Sequence, residues 1–253
     1  MSAMNLPLKL HSQGADVSAL TELLAQRGFL AEATPSFDAR VKTAVMGFQS
    51  QNLDERGLPL KVDGIVGPVT WWALTHPRVN VVTSDTDLPG KLPAGGSARG
   101  RAALKVALAE MAAGAVESGA NNAGPFVRKY LNGIIDPPAD WCAAFVSWCY
   151  DQHPGGCPYG YSLGARDVLK RCRARGWGYD HRIEPSQPGD IVVWRRGPID
   201  GWQGHVGLVY EATPGGMLYT IEGNKGGYPA RVRRFSYVTR SMDTLLGFAR
   251  VTD

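Results

Sequence analysis

A stretch rich in proline, glycine, serine, threonine and aspartate, residues 77–98, divides this chain of 253 residues into two unequal parts. Its apolar residues follow neither a helical nor a strand period, and the run PGKLPAGGS favours no helix and buries little. We therefore predict a linker over residues 77–98, a small domain over residues 1–76 and a larger domain over residues 99–253. Each part is long enough for a core of its own.

The first part has the pattern of three short helices. Val17 begins an apolar stripe at helical spacing that stops at Gly28. Asp38 is a predicted N-cap for a second helix, and Pro68 suits the first turn of a third. This part of the chain therefore predicts a small helical module.

Two adjacent tryptophans, Trp71 and Trp72, fall on the predicted third helix. Adjacent residues on a helix point in different directions, so one ring faces the core and the other lies off that face. The outer ring is a candidate for stacking on sugar, although a partly exposed tryptophan without a ligand is also common.

Several separated blocks within residues 8–76 resemble the three-helix peptidoglycan-binding module. They are Gly14-x-Asp16-Val17-x-x-Leu20, Gly28-Phe29, Ala44-Val45-x-x-Phe48-Gln49 and Val62-Asp63-Gly64-Ile65-Val66-Gly67-Pro68-x-Thr70-Trp71. The resemblance implies that this part binds bacterial peptidoglycan. Ser36-Phe37-Asp38 departs from the pattern, because the family more often has a glycine-containing turn before the second helix.

The second part reads as helices followed by strands, which predicts an α+β domain. Helical patterns cover Ala102–Glu117, Pro125–Leu131, a segment beginning at Cys142, and Leu163–Arg173. After them, apolar residues recur with a period of two, which predicts antiparallel strands. The four predicted strands are Ile191–Trp194, His205–Tyr210, Met217–Glu222 and Arg231–Phe235.

Cys142 is the strongest candidate nucleophile among the four cysteines. It lies at a predicted helix N-terminus, where the unpaired N–H groups lower a thiol pKa and can stabilise an oxyanion. Asp140 is a candidate cap for this helix. Cys149 falls on the core stripe, and Cys157 and Cys172 have no such environment. A cysteine at this position is also common in a core without any catalytic role.

His205 is the candidate base because alternation along two neighbouring strands gives it polar neighbours. A two-residue turn in the hairpin would place His205 opposite Asn224 and Gly207 opposite Glu222, with a register uncertain by one or two residues. Glu222 and Asn224 are both candidates for orienting the imidazole, and the sequence does not rank them.

The second part resembles the cysteine- and histidine-dependent amidohydrolase/peptidase (CHAP) domain, a relative of papain-like and NlpC/P60 enzymes. The matching blocks are Trp141-Cys142-Ala143-Ala144-Phe145-Val146, Pro188-Gly189-Asp190-Ile191-Val192-Val193-Trp194, Gly204-His205-Val206-Gly207 and Ile221-Glu222-Gly223-Asn224. The resemblance implies a helices-on-sheet fold and catalysis by Cys142 and His205 with Glu222 or Asn224. Trp141 is a further candidate for contact with substrate.

The resemblances together imply an endolysin-like peptidoglycan hydrolase that cuts an amide, either the muramoyl–L-alanine bond or one within the stem or bridge peptides. A non-catalytic wall-binding protein is the alternative and would have lost these residues. A zinc amidase would need clustered histidine and carboxylate ligands, and a glycosidase would need a carboxylate pair. We expect no cofactor and no bound metal, calcium included.

The net charge of +4 arises after residue 76. Its densest basic run, residues 166–175, is typical of a solvated helix face, and no aromatic pattern for nucleic acid accompanies it. No apolar run is long enough to insert in a membrane, and Met1–Leu10 does not resemble a secretory signal. Such a chain, made in the cytoplasm, is expected to have free thiols.

We therefore expect a monomer that reaches the wall through a holin or a secretion system. An endolysin fits the first route, and an antibacterial effector with an immunity protein as partner fits the second.

Overall fold

The computed structural model describes residues 4–55, 60–76, 92–197, 199–226, 228–239, 242 and 244–252. Within these residues the chain is α+β, as predicted, with seven helices and one six-stranded antiparallel sheet. No helix of the described residues is long and apolar enough to cross a membrane.

The first part is a three-helix module with α1 (Ala15–Gln26), α2 (Ala39–Gln51) and α3 (Pro68–Thr75). Asp38 caps α2, as predicted, by accepting a hydrogen bond from the N–H of Val41. The apolar faces of the helices meet in a core of their own, separate from that of the second part.

Four helices precede the sheet of the second part. They are α4 (Ala98–Ala112), α5 (Pro125–Leu131), α6 (Cys142–Asp151) and α7 (Ala165–Ala174). The predicted bounds of α4 were wrong, because Ser97 caps the helix from within the segment assigned to the linker. At its other end, the α4 helix stops before Gly114, which has a positive φ of 72°.

The sheet has the strand order β1-β6-β2-β3-β4-β5. Its strands are β1 (Gly178–Tyr179), β2 (Ile191–Arg195), β3 (Gly204–Ala212), β4 (Met217–Glu222), β5 (Arg233–Val238) and β6 (Leu245–Ala249). The sequence did not predict β1 and β6. β6 returns from the end of the chain to pair with β2, so β2 and β3 lie in the middle of the sheet.

Most of the predicted linker, residues 77–91, lies outside the described residues. Its last part packs on the domain that follows: the N–H of Gly96 donates to Oε1 of Gln187 at 2.8 Å. Arg101 in α4 donates to the carbonyl of Pro93. Residues 92–97 are thus held against the domain that follows them.

Candidate active site

Cys142 is the first residue of α6, and its side chain is only 8% exposed. Trp141 occupies the N-cap position and no side chain caps the helix, so the predicted cap at Asp140 was wrong. The backbone N–H groups of Ala143 and Val206 face the sulfur and lower the pKa of the thiol. Val206 belongs to β3, so the thiol lies against that strand.

The pKa of the Cys142 thiol is raised to about 12, whereas its position on the helix predicts a lowered value. Burial is the largest cause because it removes water from the charged thiolate, and the carboxylate of Asp140 adds to it. Arg196 and the two N–H groups act in the opposite direction but do not outweigh burial. The resting side chain is therefore a thiol that needs a base to remove its proton.

His205 lies on β3 and is hydrogen-bonded to Glu222 inside the protein. Its Nε2 is 2.7 Å from Oε2 of Glu222, and both side chains are almost completely buried. The ring also stacks on Trp194 of β2, with 5.9 Å between the ring centroids. These contacts fix the orientation of the imidazole.

The register of β3 and β4 brings these two side chains together. Leu208 pairs with Ile221, which is the register predicted at this end of the hairpin and sets Gly207 opposite Glu222. A bulge nearer the tip shifts the pairing by one residue, so the predicted two-residue turn was wrong. A Cβ atom on Gly207 would lie 2.6 Å from Cγ of Glu222, so the glycine leaves room for this side chain.

Four side chains surround the carboxylate of Glu222. Oε1 accepts hydrogen bonds from Thr220 at 2.5 Å and from Tyr237 at 2.6 Å. Oε2 accepts from His205 and forms an ion pair with Nζ of Lys225 at 3.1 Å. Burial alone would raise the pKa of Glu222, but these partners lower it to about 2, so the group is ionised.

Burial lowers the pKa of His205 to about 4, and the positive charge of Arg196 adds to this effect. The neighbouring Glu222 acts in the opposite direction without reversing it. The imidazole is thus neutral at pH 7. Because the ionised Glu222 can only accept, Nε2 carries the ring proton, and Nδ1 is left with the lone pair that can accept another.

Asn224 is hydrogen-bonded to the segment before the cysteine, and no hydrogen bond joins it to the imidazole among the described residues. Its Nδ2 donates to Oδ1 of Asp140 at 3.3 Å, and Nδ2 of Asn122 donates to the same oxygen at 3.2 Å. Of the two candidates for orienting His205, Glu222 is therefore the one that is hydrogen-bonded to it.

Trp141 is fully buried, which corrects the prediction of a contact between this residue and substrate. Its Nε1 donates to Oε1 of Glu117 at 2.8 Å, and its ring stacks on Tyr130. A Cβ atom on Gly223 would lie 2.3 Å from this ring. The indole is therefore a core group beneath the end of β4.

The two tryptophans of the module are half-buried and pack against its core. Trp72 stacks on His76 with 5.0 Å between the ring centroids. It also lines a pocket of about 430 Å³ together with Asp54 and Glu55. Trp71 is not among the residues that line this pocket.

Two buried cations, Arg196 and Lys225, lie close to the site and were missed in the sequence. Arg196 follows β2 and Lys225 follows Asn224; they are 1% and 2% exposed. Nζ of Lys225 lies 4.3 Å from the ring centroids of both Phe235 and Tyr237. Arg196 lies two residues after the predicted strand Ile191–Trp194, but the sequence pattern gives no sign that such charges would be buried.

The described residues contain no group of three or more histidine, cysteine, aspartate or glutamate side chains that could hold a metal ion. The four cysteines are free thiols.

Two family models match separate parts of the chain. Residues 135–224 match the CHAP domain, and residues 13–74 match the peptidoglycan binding domain. The first range contains all four residues predicted as catalytic, and the second covers nearly all of the three-helix module. Searches of curated proteins and of solved structures found no match.

Proposed function

Since the chain carries a CHAP domain preceded by a peptidoglycan-binding domain, we propose that it hydrolyses an amide bond of bacterial peptidoglycan with Cys142 as nucleophile. The observation that carries the proposal is the buried hydrogen bond between His205 and Glu222, on the strand against which the thiol lies. A neutral imidazole held by an ionised carboxylate is the arrangement that a thiol needs for its activation.

In the first half of the reaction, Nδ1 of His205 takes the proton from the Cys142 thiol as the sulfur attacks the amide carbonyl. The ring then carries two protons and a positive charge, which Glu222 stabilises through Nε2. Free N–H groups in the first turn of α6 are available to the negative oxygen of the tetrahedral intermediate. His205 returns its extra proton to the leaving amine, and a thioester with Cys142 remains.

In the second half, water attacks the thioester while Nδ1 of His205 accepts a proton from it. The carbon–sulfur bond breaks, the proton returns to the sulfur, and a carboxylic acid is released. The enzyme is thereby restored, so the reaction consumes one water for each amide and needs no cofactor.

The module provides the anchor in this proposal. Binding to an insoluble polymer raises the effective concentration of the second part, which we call the catalytic domain from here on, at its substrate. The Trp72 pocket, with its aromatic ring and the carboxylates of Asp54 and Glu55, is the candidate sugar contact. Hydroxyl groups of sugar can donate to the carboxylates while the ring covers an apolar sugar face.

The experiment that tests the proposal is digestion of purified sacculi by the wild type and by Cys142→Ala, with mass spectrometry of the fragments. Only the wild type should release soluble fragments. Free lactyl groups on the glycan would identify a muramoyl–L-alanine amidase, and cut stems or bridges would identify an endopeptidase.

Cys149→Ala is the matched control, since this buried cysteine lies two turns further along the same helix. It should keep its activity. If Cys142→Ala digests sacculi as fast as the wild type, the assignment of the nucleophile fails. If neither protein cuts but both bind, the chain is a wall-binding protein.

A further inference from the structure

A cleft of about 600 Å³ lies between the module and the catalytic domain. The module contributes the loop after α1 and one face of α2, including Thr43, and the catalytic domain contributes Asn121, Asn122 and Pro138. Ligand sites typically enclose about 300–1,000 Å³ and are frequent at domain interfaces. Size and position are therefore those of a binding site.

A buried charged contact holds one side of this interface. Nη1 of Arg196 donates to the carbonyl oxygens of Gln49 at 3.0 Å and Asn52 at 3.4 Å, at the C-terminal end of α2. The carbonyl of Arg196 in turn accepts the N–H of Val62. The last turn of α2 has no basic residue of its own, so the catalytic domain supplies the cation that this helix end favours.

A close approach between Gly28 and Tyr228 provides a second contact between the two parts. A Cβ atom on Gly28 would lie 2.7 Å from Cδ1 of Tyr228, so only glycine lets the ring pack here. These two contacts hold the walls of the cleft in a defined relative position.

One wall of the cleft is joined to the segment that precedes Cys142. Asn122, in its wall, donates a hydrogen bond to Asp140, which is exposed and lies two residues before Cys142. Pro138, also in the wall, precedes Asp140 by two residues. The wall of the cleft and the start of α6 therefore belong to one short segment of the chain.

The lining favours a peptide over a glycan. Thr43 donates its hydroxyl to the carbonyl of Ala39 and keeps an acceptor for a peptide N–H, whereas Thr34 accepts from the N–H of Ser36 and keeps a donor for a peptide C=O. Phe29 lines the cleft but packs edge-to-face against Phe48, with 5.5 Å between centroids. The bond to be cut is itself an amide, so peptide must flank the nucleophile on at least one side.

We propose that this cleft binds the peptide of the wall substrate, so that the module forms one wall of the substrate site in addition to anchoring the protein. The proposal rests on the proposed function, because it takes peptidoglycan as the substrate. It adds that the peptide contacts both domains at once.

A binding experiment with the inactive Cys142→Ala protein tests this without any turnover. The probes are the dye-labelled, sugar-free peptides and the peptide-free glycan strands from one amidase digest of sacculi. Adding Thr43→Trp fills the cleft from the exposed face of α2 and should weaken peptide binding at least tenfold. Asn121→Trp fills it from the opposite wall and should do the same.

Glu22→Trp is the matched control, because this exposed residue of α1 does not line the cleft. It should leave peptide affinity unchanged, and circular dichroism should show that all variants are folded. Unchanged peptide affinity in both cleft-filling variants would overturn the proposal. Absence of peptide binding, or binding of the glycan strands alone, would overturn it as well.

Hydrolysis separates this proposal from the proposed function. With Cys142 intact, Thr43→Trp should lower kcat/KM at least tenfold on soluble disaccharide-peptides, for which an anchor on the wall brings no gain. A wild-type rate on them would mean that the module only anchors the protein. Peptide binding in the cleft without hydrolysis by the wild type would contradict the proposed function and leave the cleft assignment standing.

Discussion

At the residue scale, the charges around His205 determine which proton the site can move. Glu222 is ionised and paired with Lys225, so the two charges nearly cancel. Burial and Arg196 then keep the imidazole neutral in the resting protein. In the proposed mechanism, a neutral base and a protonated thiol mean that the proton is transferred during the attack, not before it.

Glu222→Gln should lower kcat by about 10²- to 10⁴-fold, because an amide cannot stabilise the imidazolium that forms during the reaction. Asn224→Gly should cost less than tenfold, since Asn224 contacts Asp140 and glycine tolerates its φ of 56°. Steady-state kinetics on soluble wall fragments would compare the two. A larger loss in Asn224→Gly would reverse the assignment of the orienting residue.

The protein should lose stability in acid because of His205. Its pKa in the folded protein, about 4, lies below the ordinary value of 6.5, so the unfolded chain binds the proton more readily. The contribution of His205 to the free energy of unfolding is complete above pH 6.5. It falls by up to about 3 kcal/mol as the pH drops to 4. Glu222 adds a second loss between pH 4.5 and about 2.

Urea unfolding at pH 7, 5.5 and 4.5 would measure this decline. His205→Gln should flatten this decline relative to the wild type. A wild-type stability that is constant between pH 7 and 4.5 would contradict a buried neutral imidazole.

At the scale of elements, the site depends on how β3 and β4 pair. Gly207→Ala would bring a methyl group to 2.6 Å from Cγ of Glu222 and force this carboxylate off His205. We expect a loss of at least tenfold in kcat, together with about 1–3 kcal/mol of stability from overpacking. Thermal unfolding and kinetics on the same preparation would separate the two effects.

Gly215→Ala at the tip of the same hairpin is the control, since its Cβ would meet no atom closer than 3.8 Å. It should leave both activity and stability near the wild type. If Gly207→Ala were as active as the wild type, the close contact between residue 207 and the carboxylate would not matter for catalysis.

The sequence predicted the helices and the hairpin that carry the site because these have a clear apolar period. It placed Cys142 at a helix N-terminus and set Gly207 opposite Glu222, since period-two alternation and one hairpin are enough for both. It missed β6, because the position of a strand paired from the chain end is decided by non-local pairing. It also missed the burial of Lys225, which depends on aromatic rings supplied by β5.

At the scale of the whole molecule, Arg196 connects the module to the active site. Its Nη1 holds the end of α2, while its charge favours the ionised form of the Cys142 thiol. Nε and Nη2 are buried and have no hydrogen-bond partner among the residues that the structure describes. Burying such donors is costly, so the packing of the two domains must compensate for it.

Arg196→Met should therefore act in two places at once. The carbonyls of Gln49 and Asn52 lose their donor, so amide hydrogen exchange should rise at the C-terminal end of α2. Cys142 loses the cation that lowers its pKa, so alkylation by iodoacetamide should be slower at any fixed pH below about 10. Arg196→Lys keeps the charge and should preserve more of the alkylation rate than of the exchange protection.

Arg195→Met is the neighbouring control, and it should change neither quantity by more than about twofold. Because alkylation requires no substrate, its rate reports the electrostatics of the thiol independently of which amide is cut.

Faster exchange at α2 with an unchanged alkylation rate would mean that Arg196 only joins the domains. Slower alkylation with unchanged exchange would mean that the charge of Arg196 acts on Cys142 without the module holding the Arg196 side chain in place. Only both changes together support a module whose docking sets the electrostatics of the nucleophile.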